Sequence, residues 1–136
     1  MPIQVKTDLQ PNRPARHPFV KETRFGDWFL RTDTWNTHVL CRALNDLQNI
    51  LPDKAKTFSK ILDVGCGFGH SFSALAQRFS PDLIVGVDAD PDLDVRALAA
   101  ANSAPCAVSL HVENAAQMRL RDSEFDMACC HQTLHP

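Results

Sequence analysis

Ile61-Leu62-Asp63-Val64-Gly65-Cys66-Gly67-Phe68-Gly69 is the stretch whose reading decides the fold. Apolar residues lead into an acid, and glycine then takes every second position. A short apolar run that stops at a glycine cluster reads as a buried strand. Helical spacing follows at once, with Phe72, Leu75, Ala76 and Phe79 on one face and Ser80-Pro81 as the stop. Strand, glycine turn and helix open a βαβ unit. At the carboxyl end of a parallel strand, a loop without Cβ atoms makes a crevice that a ligand can approach closely.

The same alternation continues outward from this unit. Residues 83–87 (LIVGV) form a second buried strand that ends at Asp88. Asp90-Pro91 then supplies an N-cap and a first-turn proline for a helix through about Ala100. Residues 107–112 and 125–130 read as the third and fourth strands. Upstream, residues 33–51 predict a helix with Trp35, Val39, Leu40, Ala43, Leu44, Leu47, Ile50 and Leu51 on one face, ended by Pro52. Strands alternating with helices specify an α/β fold. The expected architecture is a Rossmann-like parallel sheet with helices on both faces, which explains why the strands are apolar throughout. Pro2, Pro11, Pro14 and Pro18 remove donors from the start of the chain. Residues 1–32 therefore read as an extended N-terminal arm, and residues 33–136 as the domain. Trp28 and Trp35 are expected to pack in the core or under that arm.

The composition narrows the function classes. Lys and Arg number 14 against 16 Asp and Glu, so no excess positive charge exists to hold nucleic acid by its phosphates. No apolar run approaches the roughly 20 residues needed to cross a bilayer. The N-terminus has no apolar signal-peptide core. Neither a nucleic-acid nor a membrane partner is expected, and the default location is cytoplasmic. Five cysteines without a CxxC pair read as buried free thiols of a reducing compartment. No metal site is expected from the histidines.

The glycine loop discriminates between ligands. A dinucleotide site wants GxGxxG, and here the third glycine of that pattern would fall at His70. The pattern present is GxGxG, with Asp63 two positions before the first glycine. A carboxylate there repels a pyrophosphate and suits a cationic amino-acid ligand. Asp88 ends the next strand, where a carboxylate can accept from both hydroxyls of a ribose, each bond worth about 1.5–3 kcal/mol.

With these residues in view, the chain resembles the class I S-adenosylmethionine-dependent methyltransferases, in their small-molecule, type 11-like branch. ILDVGCGFG (61–69) resembles the first motif of that family and IVGVDAD (84–90) the second. ENAAQMRLRDSEFDMACCHQTLH (113–135) resembles a block reading roughly GDAxxLPFxDxSFDxVxxxxxLHH. The resemblance implies S-adenosyl-L-methionine as cofactor and a small-molecule methyl acceptor as substrate. It implies contacts to the methionine portion from Asp63, Gly65 and Gly67, with Gly69 shaping the loop. Asp88 would hold the ribose and Ala89 lie beside the adenine. Asn114, standing where the family carries Asp, would meet the adenine amino group, and the Ala115 N–H a ring nitrogen. His131 would sit near the sulfonium as general base or acceptor-positioning group.

The resemblance also implies three strands after the fourth, so only the first four of the usual seven are expected here. The chain is thus expected to be the N-terminal, incomplete part of the domain. It would keep cofactor contacts and turn over poorly alone. The fourth strand would be an exposed edge open to self-association. The competing reading is a catalytically silent S-adenosylmethionine-binding module that needs missing strands or a partner.

Overall fold

The computed structural model describes residues 5–6, 23–30, 32, 34, 36–52 and 58–131. In chain order the elements are β1 (Val5–Lys6), α1 (Arg24–Leu30), a π-helical turn (Asn36–Leu40) leading into α2 (Cys41–Ile50), β2 (Lys60–Val64), α3 (His70–Phe79), β3 (Leu83–Asp88), α4 (Leu93–Arg96), α5 (Leu98–Ser103), β4 (Ala107–Val112), a 3-10 turn (Ala115–Gln117) and β5 (Met127–Cys130). The four apolar runs became β2 to β5, and all pair in parallel in the order β1-β4-β3-β2-β5. The fold is the expected Rossmann-like parallel α/β sheet, but the expected helices on both faces are not seen among the described residues, where α2 to α5 pack on one face.

Connection handedness explains what covers each face. From β2 to β3 to β4 the chain steps in one direction, so its right-handed crossovers carry α3, α4 and α5 over one face. Phe72, Leu75, Phe79, Leu93, Ala97 and Ala101 pack there against Ile61, Ile84, Val108 and Leu110, joined by Leu40 and Leu44. From β4 to β5 the direction reverses, and the same rule sends the connection over the other face. On that side Met118, Leu120 and Phe125 pack against Leu62, Val85 and Val87. Among the described residues, α2 to α5 therefore share one face, and an irregular connection covers the other. The reversal makes β2 and β5 neighbours across a topological switch point, where crevices open at the carboxyl ends of strands.

Asp126 locks the register at that junction. Its carboxylate accepts from the Lys60 N–H at 2.9 Å, and its own N–H returns a 2.9 Å bond to the Lys60 carbonyl. Lys60 Nζ adds a 3.2 Å contact to Glu124. Ile61 then faces Met127, and Asp63 faces Cys129.

Several sequence expectations change. Within the stretch read as an extended arm, Arg24–Leu30 is helical, because the prolines that forbid helix all lie before it. Val5–Lys6 pairs with β4, supplying backbone partners to an otherwise open edge. Trp28 is 61% exposed rather than packed in the core, and Trp35 lies outside the described residues. The helix predicted over 33–51 holds from Asn36 to Ile50, but Ile50 is 80% exposed and Leu47 and Leu51 make the contact instead. The helix predicted from Pro91 starts at Leu93 and breaks at Ala97. Asp90 caps a turn there, accepting the Asp92 N–H at 2.9 Å. The five thiols are free as expected, but only Cys66 is fully buried, and Cys130 is exposed on β5. Among the described residues β5 pairs with β2 alone, so it is an edge strand.

Phe72 is fully buried between α3 and the sheet. Phe72→Ala is expected to cost about 3–5 kcal/mol in urea unfolding. Ile50→Ala, at an exposed position of equal apolarity, should change stability by less than about 0.5 kcal/mol.

Candidate functional site

The glycine loop joins β2 to α3 and is tied down strand by strand. The N–H groups of Gly65 and Cys66 both donate to the Val87 carbonyl, at 2.6 and 3.1 Å. Gly69 N–H bonds the Cys66 carbonyl at 2.8 Å and closes the turn. Gly67 N–H donates to Asp88 Oδ2 at 2.9 Å. Asp88 Oδ1 accepts the Asp90 N–H at 2.9 Å. One carboxylate thus joins the loop to the turn after β3. Each oxygen still has lone-pair capacity for a ligand hydroxyl.

Two of the loop glycines lack a side chain for different reasons. A Cβ on Gly69 would lie 2.5 Å from the Phe72 ring and 3.0 Å from Ala100, so that glycine exists for packing. A Cβ on Gly67 would meet nothing within 4 Å. The space above Gly67 is open, as a ligand approach requires.

Asp63 lies at the end of β2, 3% exposed, on the face covered by α3. Ser71, in the first turn of α3, donates its hydroxyl to Asp63 Oδ2. Burial raises the Asp63 carboxyl to about 6, with Asp88 adding to the rise and the Ser71 hydrogen bond opposing it. The neighbouring thiols feel the same environment. Burial, then the charges of Asp63 and Asp88, hold Cys66 well above the ordinary thiol range. Burial, then Asp63 and Cys130, push Cys129 up to about 11.

A cavity of about 190 Å³ opens at the switch point. Leu40, Leu44, Leu47 and Leu75 form its apolar wall, and Asp63, Ser71 and His131 its polar groups. His131 directly follows β5, the neighbour of β2, which explains why it lines the same cavity as Asp63. Asp88 does not line this cavity; it lies across the loop. The predicted residues therefore fall into two groups: Asp63 with His131 at the cavity, and Asp88, bonded to the Gly67 N–H, with Ala89 and the 113–115 segment. That segment starts beside Asp88, because Glu113 N–H donates to the Asp88 carbonyl at 2.9 Å. Asn114 Oδ1 accepts the Ala116 N–H at 2.9 Å and caps the 3-10 turn, so one lone pair of its amide oxygen serves the chain itself. Ala89 and Ala115 are exposed beside these groups. His135 lies outside the described residues.

Sequence reasoning passed over Ser71 and the Asp90–Arg96–Phe68 group. Ser71 had a signal: at intervals of four it shares the face of Leu75 and Phe79, a polar residue on a buried stripe. Arg96 pairs with the buried Asp90 at 3.1 Å and lies 5.5 Å over the Phe68 ring at the loop tip. Phe68 is distant in sequence from Asp90 and Arg96, so no local pattern announced the group, although Asp90 by itself reads as an N-cap.

Fold and site together define a Rossmann-like domain with a cleft at its topological switch point and one carboxylate on each side of a glycine loop. The profile of a methyltransferase domain family matches residues 61–136, and the chain belongs to that family. It is 28% identical over 113 residues to phosphoethanolamine N-methyltransferase 3 of Arabidopsis thaliana, covering 83% of this chain and 21% of that protein. It is 36% identical over 77 residues to the chloroplastic tocopherol O-methyltransferase of Arabidopsis thaliana, covering 55% of this chain and 22% of that protein. The chain thus spans about a fifth of the length of these curated relatives. The fold is shared with Streptomyces venezuelae DesVI (TM-score 0.56, 18% identity, 82% of this chain and 44% of that one). It is shared also with SAM-bound CalS10, an amino pentose methyltransferase from Micromonospora echinaspora (TM-score 0.55, 22% identity, 85% and 44%).

The two glycines separate folding from binding. Gly69→Ala is expected to destabilise the fold by about 2–4 kcal/mol through its clash with Phe72. Gly67→Ala should cost only about 1–2 kcal/mol of backbone strain at its φ of +51°. Thermal unfolding of both variants, beside their ligand affinities, checks this. A second expectation concerns Asp63. Its raised folded-state pKa means the folded chain holds more protons than the unfolded one between about pH 4 and 6, so its ionisation costs stability as pH rises. Asp63→Asn should therefore stabilise the ligand-free protein by roughly 1–3 kcal/mol at pH 8 and by much less at pH 4.

Proposed function

We propose that this chain supplies the cofactor-binding part of an enzyme that transfers a methyl group from S-adenosyl-L-methionine to a small-molecule acceptor. One observation carries the reading. A buried carboxylate, Asp63, lies near the end of β2 just before the glycine loop, Asp88 ends β3 and is bonded to the Gly67 N–H, and the space above Gly67 is open. An adenosyl sulfonium amino acid has the matching chemistry, a cationic ammonium at one end and a ribose diol in the middle. A dinucleotide would bring its pyrophosphate against Asp63, where like charges repel at low dielectric.

The residues present fit that group. Among the described residues Asp63 Oδ1 carries no hydrogen bond from the chain, so it is left for the ligand ammonium. Asp88 has lone pairs left for the two ribose hydroxyls, and Gly67 leaves the channel between them clear. Ala89 and the Asn114–Ala115 backbone, close to Asp88 along the chain and through the Glu113 N–H, would meet the adenine ring. When bound, the sulfonium supplies an activated methyl group. The chain's task is then orientation, holding the donor in line with the acceptor atom. His131, in the same cavity as Asp63, takes the acceptor's proton or positions it. The apolar wall of Leu40, Leu44 and Leu47 excludes water from that side. The relatives' names, a phosphoethanolamine and a tocopherol enzyme, support a small-molecule acceptor. Five free thiols support a reducing, cytoplasmic setting.

Calorimetry with S-adenosylhomocysteine and with NAD tests the reading. The expected result is saturable binding of S-adenosylhomocysteine at pH 8 and none of NAD at the same concentration. Asp88→Ala should weaken S-adenosylhomocysteine by at least about tenfold. Wild-type affinity should fall by up to about tenfold per pH unit below about 6, because Asp63 must be ionised to hold the ammonium. Equal binding of NAD, or no heat with S-adenosylhomocysteine, would overturn the proposal.

A further inference from the structure

Resting on the cofactor reading above, we propose that Ser71 is a positioning residue for cofactor capture: its hydroxyl orients the Asp63 carboxylate and keeps it in the anionic form that receives the ligand ammonium. The argument begins with an anomaly in α3. Ser71 shares its helix face with Leu75 and Phe79, both fully buried, at a place where packing alone would favour an apolar residue. A serine in the first turn of a helix commonly turns its hydroxyl to a local backbone group. This one instead donates to Asp63 Oδ2, eight residues back and on another element. Among the described residues it is the hydrogen-bond donor to that carboxyl.

Burial and a neighbouring acid work against the Asp63 charge. Asp88 faces it from the end of β3, Cys66 from the loop and Cys129 from β5, and His131 shares its cavity. Burial and the Asp88 charge favour the neutral acid. Ser71 is the group that opposes them. Its bond occupies Oδ2 and fixes the plane of the carboxyl, which leaves Oδ1 for the ligand. Ser71 and Asp63 also line the same cavity, so the pair lies at the ligand cleft and not in sealed core.

The test uses the purified protein with Ser71→Ala, Ser71→Val and Ser71→Thr. Valine has the shape of threonine without the hydroxyl, so that comparison holds even if alanine unfolds the helix start. Two quantities are read: the Asp63 carboxyl titration by ¹³C NMR without ligand, and S-adenosylhomocysteine affinity by calorimetry from pH 5.5 to 8.5. In Ser71→Ala and Ser71→Val, both midpoints should move up by about one pH unit. Affinity should fall about threefold at pH 6.5 and about eightfold at pH 5.5, and return towards the wild-type value at pH 8.5. Ser71→Thr should track the wild type. Unchanged midpoints in the hydroxyl-free variants would overturn the proposal while leaving the cofactor reading intact, as would an affinity loss equal at every pH. No binding by the unaltered protein at any pH would overturn the cofactor reading, and this role with it.

Discussion

Phe72 occupies the space that two glycines leave empty, and the shape of the site follows from that contact. A Cβ on Gly69 would lie 2.5 Å from its ring, and one on Gly86 would lie 2.8 Å from it. The ring therefore presses the start of α3 onto the middle of β3. That contact sets the curvature of the loop between β2 and α3. With the curvature set, the loop N–H groups reach Val87 and Asp88, and Ser71 reaches Asp63. Close packing of this kind tolerates little change, because the interior has no free volume to absorb an added methyl group.

The site keeps one of its charges at a cost to the fold. Asp63 is buried with a raised pKa, next to a second acid and two thiols. A residue retained only for stability would be apolar or paired there. On the proposed reading, a ligand ammonium would supply the opposite charge beside it. Asp88 is different. Its two oxygens each accept a backbone N–H, so it organises the loop with or without a ligand. On that reading one acid would await a ligand cation, while the other ties the loop to the turn after β3.

Most of the fold was legible in the chain because its signals are local. Each βα unit carries an apolar run, a breaker and a helical stripe, and β2, β3 and β4 start and end within a residue of the expected positions. The misses were positions decided by distant partners. Val5–Lys6 is a strand only because β4 has an edge to offer. The helix expected from Pro91 begins later, because Asp90 spends its side chain on a turn and on Arg96. Trp28, expected in the core or under the N-terminal arm, is exposed, because exposure depends on which neighbours arrive. Among the site residues, Asp63, Gly67 and Asp88 announced themselves by type and spacing. Ser71 left only a faint mark, a polar residue on a buried face.

The amino-acid sequence by itself determined the element order, the parallel sheet, the glycine loop and the two acids at its flanks, since periodicity, turn chemistry and charge are properties of neighbouring residues. Only the tertiary structure decided that Asp63 and His131 share a cavity while Asp88 stands across the loop. It alone decided that Gly69 yields to Phe72 while Gly67 faces open space, and that the Ser71 hydroxyl goes to a carboxylate. Those outcomes depend on the reversal between β4 and β5 and on which side chains then compete for the same volume. Distance along the chain carries no record of either.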